Sequence, residues 1–119
     1  GNPVAVSAGI ETLKILEENQ DEIYTRLEKI SAQLENAMQE SELNVNRVGS
    51  IMTVFFTGEK VKDYDTAKTA DTARFAEYFR HMQDSGVYTA PSQFEAMFVS
   101  FAHSDEDIAK TCEAIKKFK

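Results

Sequence analysis

The sequence predicts an α+β domain, a mainly antiparallel sheet of about three to four strands with helices packed on it. Three observations lead there. Two helical stretches follow one another at the start, two β-branched and aromatic runs then come in immediate succession between residues 45 and 57, and no strand-helix-strand alternation of the parallel kind appears. At 119 residues and 42% hydrophobic composition the chain can fill one core and is too short to fill two. A single domain over residues 1–119 is the expectation.

Asn2 followed by Pro3 marks a helix start, because the Asn side chain accepts from a free backbone N–H and Pro fixes a helical φ where no donor is needed. The helix should run from Pro3 to about Glu17. Val4, Ala5, Val6, Ala8, Ile10, Leu13, Ile15 and Leu16 make its first turns apolar nearly all round, so it expects protein on several sides. From Asp21 to about Glu42, Ile23, Leu27, Ile30, Leu34, Ala37 and Met38 recur at steps of three and four, the pattern of a helix with one buried face.

Val45–Val48 and Ile51–Thr57 read as strands, and the second is apolar on both alternating sets, which predicts a central strand buried on both faces. Gly49-Ser50 between them fits a tight turn or a bulge. A loop carrying Gly58, Lys60 and Asp63 follows. Asp71–Ser85 places Phe75, Phe79 and Met82 at helical spacing and stops before Gly86, a suitable left-handed C-cap. Val87–Ala90 reads as a short strand, Pro91-Ser92-Gln93 as a turn and Ala96–Ala102 as another strand, together a hairpin-like pair. Ser104 with Asp107 forms a capping-box variant that opens a last helix, with Lys116 and Lys117 at its far end and Ile108, Cys112, Ile115 and Phe118 as its apolar stripe. The expected order is α-α-β-β-α-β-β-α.

Charge narrows the function. Thirteen basic against twenty acidic residues leave a net charge of -7, which repels phosphate backbones and anionic headgroups, so neither nucleic acid nor a membrane surface is an expected partner. No apolar run approaches the length of a membrane span. The single cysteine, Cys112, cannot form an internal disulfide, and a cytosolic setting is expected. The opening Gly-Asn-Pro-Val-Ala-Val lacks an initiator Met, which suggests a piece of a longer protein.

Local chemistry is sparse. His81 and His103 lie far apart in sequence and Cys112 sits in an apolar stripe, so no metal site is expected. Cys112 and His103 are also poor partners for nucleophilic catalysis, since nine residues of helix span about 13 Å. No Gly-rich phosphate loop or nucleophile elbow is present. The lysines fall on polar faces, in loops or at the terminus, and none reads as a Schiff-base lysine. One segment stands apart: Ala90-Pro91-Ser92-Gln93-Phe94-Glu95 offers a rigid turn, an amide, a ring and a carboxylate close together.

That segment and several others carry a resemblance. Gly1-Asn2-Pro3-Val4-Ala5 through Ala8-Gly9 is similar to the opening shared by class III aminotransferases. Asn46-Arg47-Val48-Gly49-Ser50, Phe55-Phe56-Thr57, Asp63-Tyr64 to Asp71, Gly86-Val87-Tyr88, Ala90 to Glu95, and Phe98, Ser100, Ala102-His103 and Glu106-Asp107-Ile108 resemble, in order and spacing, the carboxy-terminal part of glutamate-1-semialdehyde 2,1-aminomutases, which are fold type I pyridoxal-phosphate enzymes. Thr53 and Met97 stand where that family commonly has Gly, and Ser104 where it commonly has Thr.

The resemblance implies a C-terminal small domain whose residues 1–17 form an interdomain linking helix. It implies a parent enzyme that isomerises glutamate-1-semialdehyde to 5-aminolevulinate in tetrapyrrole (porphyrin) biosynthesis by intramolecular amino transfer with pyridoxal 5'-phosphate. The Schiff-base lysine would lie upstream, in an N-terminal large domain absent here, so this fragment alone would be inactive. Of its residues, Glu95 would contact substrate, with Ser92 and Gln93 as weaker candidates, and Gly1 and Asn2 would lie near the phosphate site. The parent would be a cytoplasmic homodimer acting on a small molecule. The alternatives are another class III aminotransferase acting on ω-amino groups, and a stand-alone interaction domain docking through its apolar first helix.

Overall fold

A computed structural model describes all residues, Gly1–Lys119. Helix α1 spans Pro3–Glu18, and the Asn2 side chain accepts from the Val4 N–H at 3.0 Å as its cap. Asn19 breaks the chain once, its side-chain amide donating to the Ile15 carbonyl, and α2 then runs Gln20–Glu40. Its buried face contains the predicted stripe and Ser31. The helix stops two residues short of the expected end because Ser41 turns back onto the Ala37 carbonyl and Glu42 adopts a left-handed φ of 59°.

The Gly49-Ser50 alternative resolves as a tight turn. Strands β1 (Asn44–Val48) and β2 (Ile51–Phe55) form an antiparallel hairpin closed by the Val48↔Ile51 pair, with Gly49 at φ 58°. Such two-residue connections need positive φ to follow the strand twist. The Asn44 and Asn46 side chains donate to the Glu59 and Val61 carbonyls at 2.7 and 2.9 Å, laying the next loop along β1. A short helix α3, Tyr64–Ala67, grows there from an Asp63–Thr66 capping box and was not among the predicted elements.

Helix α4, Thr72–Asp84, starts where the Asp71 carboxylate accepts from the Ala73 and Arg74 N–H groups and ends ahead of Gly86 at φ 77°. Helix α5, Asp105–Lys117, opens on the Ser104–Asp107 capping box and packs on α2. Arg26 of α2 reaches both the Asp105 carboxylate and the His103 carbonyl at 2.9 Å. Ile30, Met82 and Ile115 are fully enclosed between these helices and the sheet. Tyr78 packs against Phe118 and Phe56 at centroid separations of 5.3 and 5.5 Å.

Two expectations fail. The predicted 87–90 and 96–102 hairpin does not form: residues 87–90 are not a strand, and the second run contracts to β3, Met97–Phe98. β3 pairs antiparallel with β2 through Met52↔Met97 and Ile51↔Phe98, giving a sheet ordered β1-β2-β3. The cause is local at both ends. Pro91 has no N–H to give a ladder, and beyond Val99 the Ser100 N–H donates to the His103 ring while the His103 N–H donates to the Ser100 carbonyl, which folds the run into a turn. The observed order is α-α-β-β-α-α-β-α. Second, β2 is central but buried on one face only: Met52 and Val54 are in the core, whereas Ile51 is exposed and Thr53 and Phe55 are half-buried.

The apolar first helix has no buried residue, and Leu13 is 66% exposed. Only Leu16 rests against the core. No helix is long and apolar enough to cross a membrane.

Candidate active-site turn

The segment singled out in the sequence is seated on the free edge of β2. Along that edge the backbone groups of Ser50, Met52, Val54 and Phe56 face outward, since antiparallel strands present successive residues to opposite neighbours. The Val99 N–H donates to the Ser50 carbonyl at 2.9 Å and Met97 pairs with Met52, after which β3 stops. Gln93 takes over: its buried carboxamide donates to the Val54 carbonyl at 2.6 Å and lies 3.5 Å from the Phe56 N–H as acceptor.

Around this anchor the turn closes on itself. The Glu95 N–H donates to the Ser92 carbonyl, the Phe94 N–H to the Ser92 hydroxyl, and the Ser92 N–H to a Glu95 carboxylate oxygen at 3.3 Å. The Thr53 hydroxyl, on the half-buried face of β2, donates to the Glu95 carbonyl at 3.4 Å. Glu95 itself is exposed and forms no salt bridge, so its carboxylate is held in place by backbone and remains open to a cationic group. Phe94, beside it, is also exposed. Of the three turn residues, Glu95 projects outward, Ser92 is half-buried, and the Gln93 side chain is committed to the sheet.

Behind the turn lies a largely apolar cavity of about 320 Å³, bounded by Leu34, Met52, Met82, Val99 and Ile108. Tyr78 and Thr89 line it and also line a smaller recess that reaches Thr53 and Glu95. Their hydroxyls are buried without a partner. Neither residue was legible as part of this region, because Tyr78 lies outside the stripe read from Phe75, Phe79 and Met82.

The other candidates stand apart from one another. Asn2 is exposed and uses its side chain on its own helix start. His81 Nε2 lies 2.8 Å from the Ala114 carbonyl, His103 is taken up by Ser100, and the Cys112 thiol is half-buried at the rim of the core. Burial pushes that thiol above its ordinary value. No three His, Cys, Asp or Glu side chains converge to hold a metal ion. All lysines are exposed, so none sits in the enclosed, water-poor setting that imine chemistry uses. These residues do not by themselves fit a pyridoxal-phosphate site.

No family-level sequence profile matches the chain. Solved structures do. A transaminase solved with PLP bound superposes with a TM-score of 0.69 at 23% identity, over 98% of this chain and 26% of that one. A β-phenylalanine aminotransferase from Variovorax paradoxus gives 0.64 at 22% identity, over 81% and 22%. The fold is one that PLP transaminases contain.

Sequence relatives sharpen this. The chain is 53% identical, over 98% of its length, to a glutamate-1-semialdehyde 2,1-aminomutase of Pelotomaculum thermopropionicum, and 52% identical, over 96%, to one of Chlorobaculum parvum. The match falls on the C-terminal part of these aminomutases, at about half identity across nearly the whole of this chain. The chain spans 28% and 27% of the length of these two relatives.

Proposed function

We propose that the complete protein is a glutamate-1-semialdehyde 2,1-aminomutase and that these residues are its C-terminal small domain. Identity near one half across almost the whole chain to aminomutases carries the reading. The reaction is the isomerisation of glutamate-1-semialdehyde to 5-aminolevulinate by intramolecular amino transfer, in the cytoplasm, in support of tetrapyrrole synthesis. Pyridoxal 5'-phosphate supplies the electron sink for that transfer. It and its lysine belong to an N-terminal large domain, in keeping with the exposed lysines of this chain.

The contribution of this domain is positioning. Glu95 presents its carboxylate on a turn tied to the sheet edge, where it attracts and orients an ammonium group of the substrate. Ser92 shapes the turn through its hydroxyl and carbonyl. The apolar surface of α1 packs against the large domain, with Gly1 and Asn2 toward the phosphate of the cofactor, and the enzyme works as a homodimer.

The test is to supply the complete protein with glutamate-1-semialdehyde and no keto acid, and to measure 5-aminolevulinate. Product formation is expected. Turnover that requires an added amine donor and keto acid would instead identify an aminotransferase.

A further inference from the structure

We infer that Gln93 is a positioning residue that acts through Glu95, its side-chain amide serving as a substitute for the strand that β3 does not provide. This rests on the aminomutase reading for its catalytic consequence and on geometry alone for the anchoring.

Each residue of a ladder offers its neighbouring strand one N–H donor and one C=O acceptor, and a primary carboxamide carries one of each kind. At Gln93 the amide nitrogen meets the Val54 carbonyl at 2.6 Å and the amide oxygen lies 3.5 Å from the Phe56 nitrogen. Those two groups are next along the β2 edge after Met52, the last residue that pairs with β3. Gln93 is only 3% exposed and Val54 is 1% exposed, so the carboxamide and the Val54 carbonyl are each other's partner where water has little access.

The consequence reaches Glu95 two residues on. Its other contacts are long: within the turn, its N–H donates to the Ser92 carbonyl at 3.2 Å and its carboxylate accepts from the Ser92 N–H at 3.3 Å, and only a 3.4 Å bond from Thr53 to its carbonyl ties it directly to the sheet. Without the Gln93 anchor the turn is held to the sheet edge by the Thr53 contact and by β3, and the carboxylate loses its fixed position. A displacement on the scale of an ångström in a group that orients substrate costs about a hundredfold in rate.

The experiment uses the complete protein carrying Gln93→Met, and Gln93→Asn as a polar variant one methylene too short to span both groups. Hydrogen exchange followed by mass spectrometry reads the peptide over residues 88–98. Faster exchange there in both variants, with unchanged exchange in α2 and α5, is expected; unaltered exchange overturns the anchoring whatever the protein catalyses.

The second arm is a kinetic cycle with Glu95→Gln. Each single variant should lower kcat by about tenfold to a hundredfold, with a smaller change in KM, and Gln93→Met should add little in the Glu95→Gln background. Additive losses, or a loosened turn with full activity, overturn the link to Glu95. Absence of 5-aminolevulinate from the unsubstituted protein refutes the aminomutase reading and with it that link, while the exchange arm still decides the anchoring.

Discussion

The guanidinium of Arg47 and the carboxylate of Glu35 meet at 2.7 Å, fastening β1 to α2. The same guanidinium donates to both oxygens of Glu28 at 2.9 and 3.0 Å and to the Gly49 carbonyl at 2.8 Å. One side chain, 14% exposed, therefore holds helix, strand and hairpin turn together. Planar donors in a fork can do this; an ammonium cannot.

Arg47→Met should destabilise the chain by roughly 1–2 kcal/mol, because it strands the half-buried Glu35 carboxylate. Arg47→Lys should recover only part. Urea unfolding measures both. The pH dependence has a defined sign. Hydrogen bonding from Arg47 holds the Glu28 carboxyl below its ordinary value. Its contribution is present above the ordinary carboxylate range and is lost as pH falls through the depressed value. The gap between the parent and Arg47→Met should narrow on acidification from pH 7 to below about 4.

Tyr78→Phe should leave stability unchanged or raise it by up to about 1 kcal/mol, since the hydroxyl is buried without a partner and removing it abolishes a desolvation penalty. Burial also pushes the phenol well above its ordinary pKa. A lower melting temperature in the variant would indicate a water or ligand bonded to that hydroxyl.

Gly49→Ala should cost about 1 kcal/mol through backbone strain alone, because φ is 58° and a Cβ there would meet nothing. Gly49→Asn should cost less, as Asn tolerates the left-handed region. Thermal melts of the two variants distinguish a backbone requirement from a packing one.

Cys112 should react with iodoacetamide more slowly than free cysteine at pH 7.5. Burial raises its thiol pKa and outweighs the opposing field of Lys116. Alkylation followed by mass gain provides the measurement.

Helices α1 and α5 were legible from their caps, Asn2 and Ser104, and α2 and α4 from apolar residues at helical spacing, whereas α3 opens on the Asp63–Thr66 capping box but is too short to show any such spacing. The pairing of β3 was not. Residues 87–90 and 96–102 both show strand-forming composition, and nothing local states that the free edge of β2 competes for the second and wins. Burial of β2 on both faces was misjudged for a related reason, since an apolar side chain such as Ile51 records preference and not what lies opposite it. At the candidate site, Glu95 was singled out through its motif, whereas the contacts of Gln93 depend on carbonyl and N–H groups some 40 positions away, at Val54 and Phe56. The hydroxyls of Tyr78 and Thr89 were equally hidden, because their burial is set by tertiary packing.

The bare surface of α1 makes that helix a gauge of assembly. Sixteen residues are near the lower limit at which a helix holds its shape in water unaided, and α1 buries no residue to assist it. Its occupancy of the helical state is thus set by whatever lies against Val4, Val6, Ile10 and Leu13. Amide protection over residues 3–18, compared with that of α2, would register contact with another domain without any label at the interface and without turnover.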